Sequence, residues 1–248
     1  MLILLPPSES KWNRRRGRPA DPATWSFPEL ADTRERVAGA LAEVSASPSA
    51  TEVLGVSPNL LDEVALNLSL ASLPATPAAE VYTGVLYDAL GLGSLDTAAR
   101  RRADRWCVVV SALHGAVRPR DRITAYRLSM GVDLPGVGPL AAAWRPALDG
   151  PLTAAAGSGV VVDCRSAAYA SAWRPGREVA PRWVQVRVPG ASHMAKHTRG
   201  LVARHLCEAG VAARSVPSVA DVVAGAFDVQ LHEPARDTAP WVLDVRAR

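Results

Sequence analysis

The stretch WCVVVSALHGAVRPRDRITAYRLSMG, residues 106–131, contains the clearest structural signal in the chain. Its first part, WCVVVSAL, is a continuous β-branched run, which predicts a strand buried on both faces. Outward from it, LILLP and GVVVDC predict two more buried strands, and WVQVRV alternates as a half-exposed strand does. Helical patterns alternate with these runs, for example in residues 27–46, 94–105 and 192–210. We therefore predict one α/β domain, residues 1–248, with a mixed sheet surrounded by helices.

Composition is that of a globular protein with a sizeable core. The chain has 248 residues, 48% hydrophobic and 21% charged, and a net charge of +4 that is compatible with a polyanionic partner. Its three scattered cysteines predict reduced thiols rather than a disulfide framework. The apolar start is short and precedes its basic cluster, which is the reverse of a secretory signal, so we expect a cytoplasmic protein without membrane contact.

Four arginines follow the buried strand WCVVVSAL: Arg118, Arg120, Arg122 and Arg127. Ligands in α/β folds favour the C-terminal ends of strands, and the guanidinium group suits phosphate and carboxylate. The segment DCRSAAY, residues 163–169, follows a second strand in the same way. We expect Asp121 to hold one arginine and leave others for an anion. The alternative is a solvated loop with internal Arg–Asp pairs.

The segment SHMAKHTRG, residues 192–200, predicts one face of a helix with two histidines. His193 and His197 have the i, i+4 spacing that can bind a metal ion, but Lys196 and Arg199 beside them disfavour a cation. We therefore predict an edge that faces an anion, and no metal or other cofactor. A plain amphipathic helix remains the alternative. Iron binding, for which His114 would be a further ligand, is disfavoured by the same basic surroundings.

Three short patterns are typical of nucleic-acid binding. VLGVSPNLLDEVALN, residues 53–67, and DLPGVGPLAAAW, residues 133–144, each resemble a helix-hairpin-helix, whose turn offers backbone N–H groups to phosphates. KWNRRRGR, residues 11–18, is the densest basic run. A solubilising surface loop would have the same composition.

Several segments together resemble the YaaA peroxide-stress family. They are LLPPSESK, EVYTGVLYDAL, SALHGAVRPRDRITAYRLSMG, VVDCRSAAYA and SHMAKHTRG, in that order over roughly residues 1–205. The resemblance implies a YaaA-type fold with a basic cleft and a helix-hairpin-helix element in residues 49–72. It also implies binding of double-stranded or structured DNA and survival of hydrogen peroxide, by limiting oxidative damage linked to free iron.

The resemblance also assigns site residues by position. The implied hairpin residues are Gly55, Ser57 and Asn59; the implied cleft residues are Ser8, Lys11, Tyr82, Thr83, Arg118, Arg127, Arg165, Ser166, Tyr169, His193 and Lys196. The chain departs from the family pattern at several positions. It has SESK for SEGK, His114 for Trp, Ala195 for Asn, Ser57 for Gly and Asn59 for Lys. The last two changes weaken the hairpin, since serine tolerates positive φ poorly and a cation is lost.

Two functions are consistent with these residues. The first is a DNA-binding protein of the oxidative-stress response. The second is an enzyme that uses the same cleft on a small anionic substrate such as a nucleotide or nucleobase, with acid–base groups from Glu9, Lys11, Asp121, Tyr126 and Lys196. The sequence leaves open whether the cleft is catalytic. We expect a monomer in either case.

Overall fold

The chain is organised around one seven-stranded sheet. The computed structural model describes residues 1–190, 192–211 and 213–248, without the side chains of Ser192 and His193. The sheet has the order β10-β11-β9-β8-β1-β3-β4. Its strands are β1 (Leu2–Leu5), β3 (Cys107–Ser111), β4 (Gly115–Val117), β8 (Val161–Asp163), β9 (Trp183–Arg187), β10 (Phe227–His232) and β11 (Trp241–Ala247). Two-stranded ribbons are formed by β2 (Thr76–Pro77) with β5 (Arg122–Ile123), and by β6 (Asp133–Leu134) with β7 (Gly138–Pro139).

Strand β1 lies inside the sheet, between β8 and β3, and is fully buried. It pairs in parallel with β3 on one side, Ile3 opposite Cys107, and with β8 on the other, Ile3 opposite Val162. β9 and β11 continue the parallel order, whereas β4 and β10 pair antiparallel at the two edges. The three runs predicted as buried strands are therefore three adjacent interior strands, β8, β1 and β3, which confirms the mixed α/β fold.

Ten helices cover the sheet in the described part of the chain. They are α1 (Ala31–Ser45), α2 (Ala50–Val53), α3 (Leu61–Ala65), α4 (Ala78–Val81), α5 (Val85–Leu90), α6 (Thr97–Trp106), α7 (Leu140–Ala156), α8 (Ala167–Ala170), α9 (Ser192–Ala209) and α10 (Val216–Ala224). Asp96 caps α6, where its carboxylate accepts from Ala99 N, and Gly210 follows α9 with φ of 66°. None of the described helices is long and apolar enough to cross a membrane.

The segment expected to contain a helix-hairpin-helix is a chain of short helical pieces. Gly55 follows α2 in the left-handed region, with φ of 62°, and Ser57 then caps a 3-10 turn, Pro58–Leu60, that leads into α3. A second 3-10 turn, Leu66–Ser69, follows. The predicted single helix after the turn is therefore divided into three pieces. This arrangement does not by itself establish a helix-hairpin-helix, which stays a prediction.

The segment 8–25, which includes the basic run KWNRRRGR, is attached to the fold at several points. Trp12 N donates to Val81 O and Ala75 N donates to Arg18 O, both at 2.9 Å. Trp25 Nε1 donates to Arg122 O at 2.7 Å. The segment therefore lies along the surface between these anchors.

A close contact between two helices fixes the position of α9 over the strand ends. Gly200 of α9 packs directly on α5, so that a Cβ atom at this position would overlap the carbonyl oxygen of Leu86 and lie 2.9 Å from Ala89 Cβ. Glycine is therefore needed for close approach rather than for a special backbone conformation. The approach holds the first turns of α9 beside the loop that follows β1.

We predict that Gly200→Ala destabilises the protein by about 1–3 kcal/mol, because α9 must move away from α5 to admit the methyl group. Gly39→Ala is the matched control, since Gly39 lies inside α1 with open space around its Cα. There alanine should stabilise the protein by about 0.5–1 kcal/mol through helix propensity. Urea denaturation of both variants measures the difference. Equal effects of the two substitutions would contradict the packing argument.

Candidate functional site

A cleft of about 710 Å³ opens at the C-terminal ends of the central parallel strands. One wall is the loop after β1, Pro6 to Lys11, and the opposite wall contains Ala195, Lys196 and Arg199 of α9. The rest of the lining comes from residues 54–56, 83–87 and 127–129, with Cys164, Ser166 and Tyr169 after β8. This is the edge where ligands bind in open parallel sheets.

Hydroxyl groups hold the loop after β1 against the break between α4 and α5. Thr83 N donates to Ser8 Oγ at 3.0 Å, and Thr83 Oγ1 donates to Ser10 O at 3.2 Å. Gly84, at φ of 95°, turns the chain there and begins α5. Ser8 and Thr83, which the sequence assigned to the site, therefore meet in the cleft wall and shape it.

Lys11 is a strongly perturbed basic group of the cleft. Its Nζ donates to Ser8 O at 2.8 Å and to Glu9 O at 3.3 Å, and it lies 4.3 Å from the centroid of the Tyr126 ring. No carboxylate in the described residues forms an ion pair with it. Burial and the nearby Arg127 guanidinium lower the pKa of Lys11 to about 7, against the opposing charges of Glu63 and Glu9. A large fraction of Lys11 is therefore an uncharged amine near neutral pH.

Arg127 is clamped at both its backbone and its side chain. Asn67, which is buried, accepts from Arg127 N at 2.9 Å and donates to Arg127 O at 3.0 Å. The guanidinium Nη1 lies 3.2 Å from Glu63 Oε2 and donates to Glu9 O at 3.3 Å. Asn67 and Glu63 were missed as site residues. The signal for Asn67 was a polar residue inside the apolar pattern that follows Asn59.

A buried hydroxyl network supports the aromatic ring under Lys11. Tyr126 OH lies 2.7 Å from Ser111 Oγ and 3.2 Å from Tyr82 OH. Burial raises the pKa values of both tyrosines, so they stay protonated at neutral pH. Tyr82 and Tyr126, both named from the sequence, therefore lie behind the lining as a support. Tyr169 lines the cleft itself, and burial raises its pKa too.

His114 fills an aromatic site next to this network. Its ring packs edge-on against Trp25 at 4.9 Å and Tyr126 at 5.2 Å, and neither ring nitrogen has a hydrogen-bond partner in the described structure. Burial, with the charges of Arg34 and Lys11, lowers its pKa to about 3. The histidine is therefore neutral and occupies the place of an aromatic ring, consistent with the tryptophan of the family pattern.

The four arginines after β3 lie in different parts of the structure. β4 is antiparallel to β3, with Val117 opposite Val109, so the chain runs back along β3 before it reaches Arg118. Arg118 then donates to Arg105 O and packs over Phe27, and Arg120 pairs with Asp104. Arg122 donates to Ala75 O. Of the four, Arg127 alone is in the cleft lining.

Two other assigned residues have internal roles. Arg165 is fully buried and pairs with Asp163 at 2.7 Å, and it also donates to Trp173 O at 2.9 Å. Asp121 accepts from the backbone N of Arg118 and from Ser26 N and Oγ, so it holds a turn rather than a guanidinium group. Neither residue is in the cleft lining.

The remaining assigned residues divide between the cleft and its surroundings. Glu9, Ser166 and Lys196 line the cleft, as does Gly55 of the hairpin segment. Ser57 Oγ accepts from Asn59 N at 3.3 Å, and these two residues are not in the lining. The His193 side chain lies outside the described residues. Within the described part of the chain, no three His, Cys, Asp or Glu side chains form a cluster that could hold a metal ion.

Comparison with known proteins identifies the family. The family model described as peroxide stress protein YaaA matches residues 1–229. The chain belongs to the YaaA peroxide-stress family. It is 48% identical to a UPF0246 protein of Streptomyces coelicolor, covering 99% of this chain and 98% of that protein. It is also 37% identical to a UPF0246 protein of Corynebacterium efficiens, covering 98% of this chain and 100% of that protein. The resemblance found in the motifs is thereby confirmed over nearly the whole length.

Both lysines of this YaaA-family chain are in the cleft. Among 28 lysine and arginine residues, Lys11 and Lys196 are the two lysines, and the chain uses arginine at every other basic position. Arginine stays protonated in proteins, whereas a buried lysine readily loses its proton. The cleft therefore contains both lysines of the chain, and burial lowers the pKa of Lys11.

The neutral His114 makes stability depend on pH. The unfolded chain takes up a proton at His114 near pH 6.5 and the folded chain near pH 3, so the unfolded state binds more protons between these values. The stability associated with neutral His114 is complete above pH 6.5 and falls by up to about 1.4 kcal/mol per pH unit below it. His114→Phe keeps an aromatic ring and should flatten this slope in urea denaturation between pH 6.5 and 4. An unchanged slope would contradict a buried neutral histidine.

Proposed function

We propose that the cleft binds a small anionic ligand, such as a nucleotide or nucleobase, and that Lys11 acts on it as an uncharged amine. The observation that carries this proposal is the environment of Lys11: a tyrosine face below it, two carbonyl oxygens beside it and an arginine close by. A site that only held phosphate would be served by the arginine used elsewhere in the chain. An uncharged amine can instead accept a proton or attack an electrophilic carbon.

The size and lining of the cleft favour a small molecule. A volume of about 710 Å³ is within the range of ligand pockets. Apolar contact is available from Val56, Val85, Leu86 and Leu128, and Tyr169 adds an aromatic edge. A flat heterocycle with an anionic group would match this mixture of surfaces.

The charges of the cleft are suited to orienting an anion. Lys196 is exposed on the wall formed by α9, and Arg199 is anchored beside it where its Nε donates to Val186 O at 3.1 Å. Arg127 also lines the cleft, where its side chain is 17% exposed and pairs with Glu63. An anionic group held between these cations would bring the rest of the ligand to Lys11.

Binding of DNA through the same cleft, limiting oxidative damage linked to free iron, is the second candidate. The observations in its favour are that the turn Leu54–Val56 lines the cleft and that Arg15, Arg16 and Arg18 of the N-terminal segment are exposed. Residues 46–75, however, contain no lysine or arginine, and they include Glu52, Asp62 and Glu63. Because DNA affinity depends on neutralising phosphates, this hairpin segment is poorly suited to carry it.

We predict that Lys11→Arg abolishes turnover but retains binding. The guanidinium keeps the positive charge and cannot give up its proton, so loss of general-base action should lower kcat by at least about 100-fold. Ligand affinity should change by less than about fivefold. The activity of the parent protein should rise with pH through about pH 7 as Lys11 loses its proton. Nucleotides and nucleobases are screened by thermal shift, and the products of those that bind are followed by mass spectrometry.

Lys196→Arg is the matched control, because it makes the same replacement at the other lysine and leaves Lys11 in place. It should retain turnover within about tenfold, since a cation is still present to hold the ligand. Equal turnover in Lys11→Arg and the parent would refute the role of Lys11. If no panel member binds, but labelled duplex DNA binds and is weakened by Arg127→Ala and Lys196→Ala, the DNA hypothesis replaces it.

A further inference from the structure

A second basic surface lies at the end of the parallel strands opposite to the cleft. Arg118 and Arg120 lie there because β4 runs antiparallel to β3. It has a shallow pocket of about 310 Å³, lined by Arg101, Asp104, Arg105 and Arg120. We call it the arginine pocket. Arg105 lies close enough to the N-terminus of the chain that, after burial, it is the largest cause of the lowered pKa of the Met1 amino group. This places the pocket near the start of β1, whereas the cleft lies beyond its end.

The arginine pocket is braced by a buried carboxylate. The Asp104 side chain is 7% exposed, and its two oxygens accept from different arginines: Oδ1 from Arg100 Nε at 3.1 Å, and Oδ2 from Arg120 Nε at 2.7 Å. Both oxygens of the only carboxylate in the lining are therefore already bonded to guanidinium groups. Arg120 nevertheless remains 69% exposed, so its outer N–H groups face solvent.

The other two arginines of the pocket keep their N–H groups available, and Arg105 lies 5.9 Å from the centroid of the Trp106 ring. Arg101 and Arg105 are exposed, four residues apart on one face of α6, and neither guanidinium donates to an acceptor in the described part of the chain. Arg118 donates to Arg105 O and so fixes the chain that follows β4 to the end of α6. With Arg100 included, four guanidinium groups surround one carboxylate, which leaves a net charge of about +3.

We propose that the arginine pocket binds an oligophosphate group. Planar guanidinium forks bind phosphate oxygens in pairs, and three of them converge on a space that holds a di- or triphosphate. The lining contains no apolar side chain, so the pocket offers nothing to a base or sugar and recognises the phosphates alone. The ligand is either a free oligophosphate or the phosphate tail of a larger molecule.

The test uses inorganic tripolyphosphate and the intact chain, measured by calorimetry at low and moderate salt. Arg101→Gln/Arg105→Gln removes the two free guanidinium groups and leaves the Asp104 brace intact. We expect at least a tenfold loss of affinity. The matched control is Arg15→Gln/Arg16→Gln, which removes the same charge from the exposed N-terminal segment. It should bind within about twofold of the parent. Lys196→Gln, which alters the cleft, is measured beside it to detect any tripolyphosphate that binds in the cleft.

Several results would overturn the proposal. They are absence of binding by the parent, equal losses in the two double variants, and a loss in Lys196→Gln that Arg101→Gln/Arg105→Gln does not show. Competition then identifies the source of the phosphates. Displacement by a nucleoside triphosphate indicates a nucleotide tail, and displacement by duplex DNA at matched phosphate concentration indicates a nucleic-acid backbone. Because the cleft variants are measured separately, failure of this proposal leaves the proposed function of the cleft untouched.

Discussion

The parallel pairing of β1 with both β3 and β8 is the constraint on which the site depends. Leu2–Leu5 is buried on both faces, so the strand cannot shift its register without exposing four large apolar side chains. Pro6 and Pro7 then end it, and the chain must leave the sheet at the edge where β8 also ends. The hydrophobic packing of β1 therefore places Ser8 to Lys11 at the cleft. Gly200 completes the arrangement, because it lets α9 approach closely enough to form the opposite wall.

This placement determines the chemistry of Lys11. The amine lies over a tyrosine ring, in a loop whose polar groups are already used in holding its own shape, and the charge that affects it most is the Arg127 cation. Desolvation and repulsion both favour the uncharged form. The buried hydroxyls of Tyr82, Tyr126 and Ser111 bond to one another, so the ring stays in place without presenting a charge to the amine. Membership of the YaaA peroxide-stress family sets the biological context for the reaction that we propose for the cleft.

Much of the fold was predictable from the sequence, because buried parallel strands leave continuous β-branched runs such as Val108–Val110 and Val160–Val162. The loops of the site were also predictable, because polar residues directly follow the predicted strands there. The final position of each arginine was not predictable, because it depends on the antiparallel pairing of β4 with β3. This pairing places Arg118 and Arg120 away from the cleft, whereas Arg127 lies in the cleft lining. Arg165 looked like a ligand for an anion, yet its own chain supplies Asp163 two residues earlier. The lowered pKa of Lys11 was also not predictable, because it arises from burial in the tertiary structure, which a local sequence pattern does not show.

The most direct test is to titrate the two lysines by NMR. With ¹³C at lysine Cε the spectrum contains signals from Lys11 and Lys196 alone, since the chain has no other lysine. The Lys11→Arg variant removes one signal and so assigns it. The account predicts that this signal titrates with a midpoint near pH 7 in the folded protein, and that unfolding in urea returns the midpoint to about 10.5. A folded-state midpoint above pH 9 would show that Lys11 is a permanently charged cation at neutral pH and would contradict its role as a base or nucleophile.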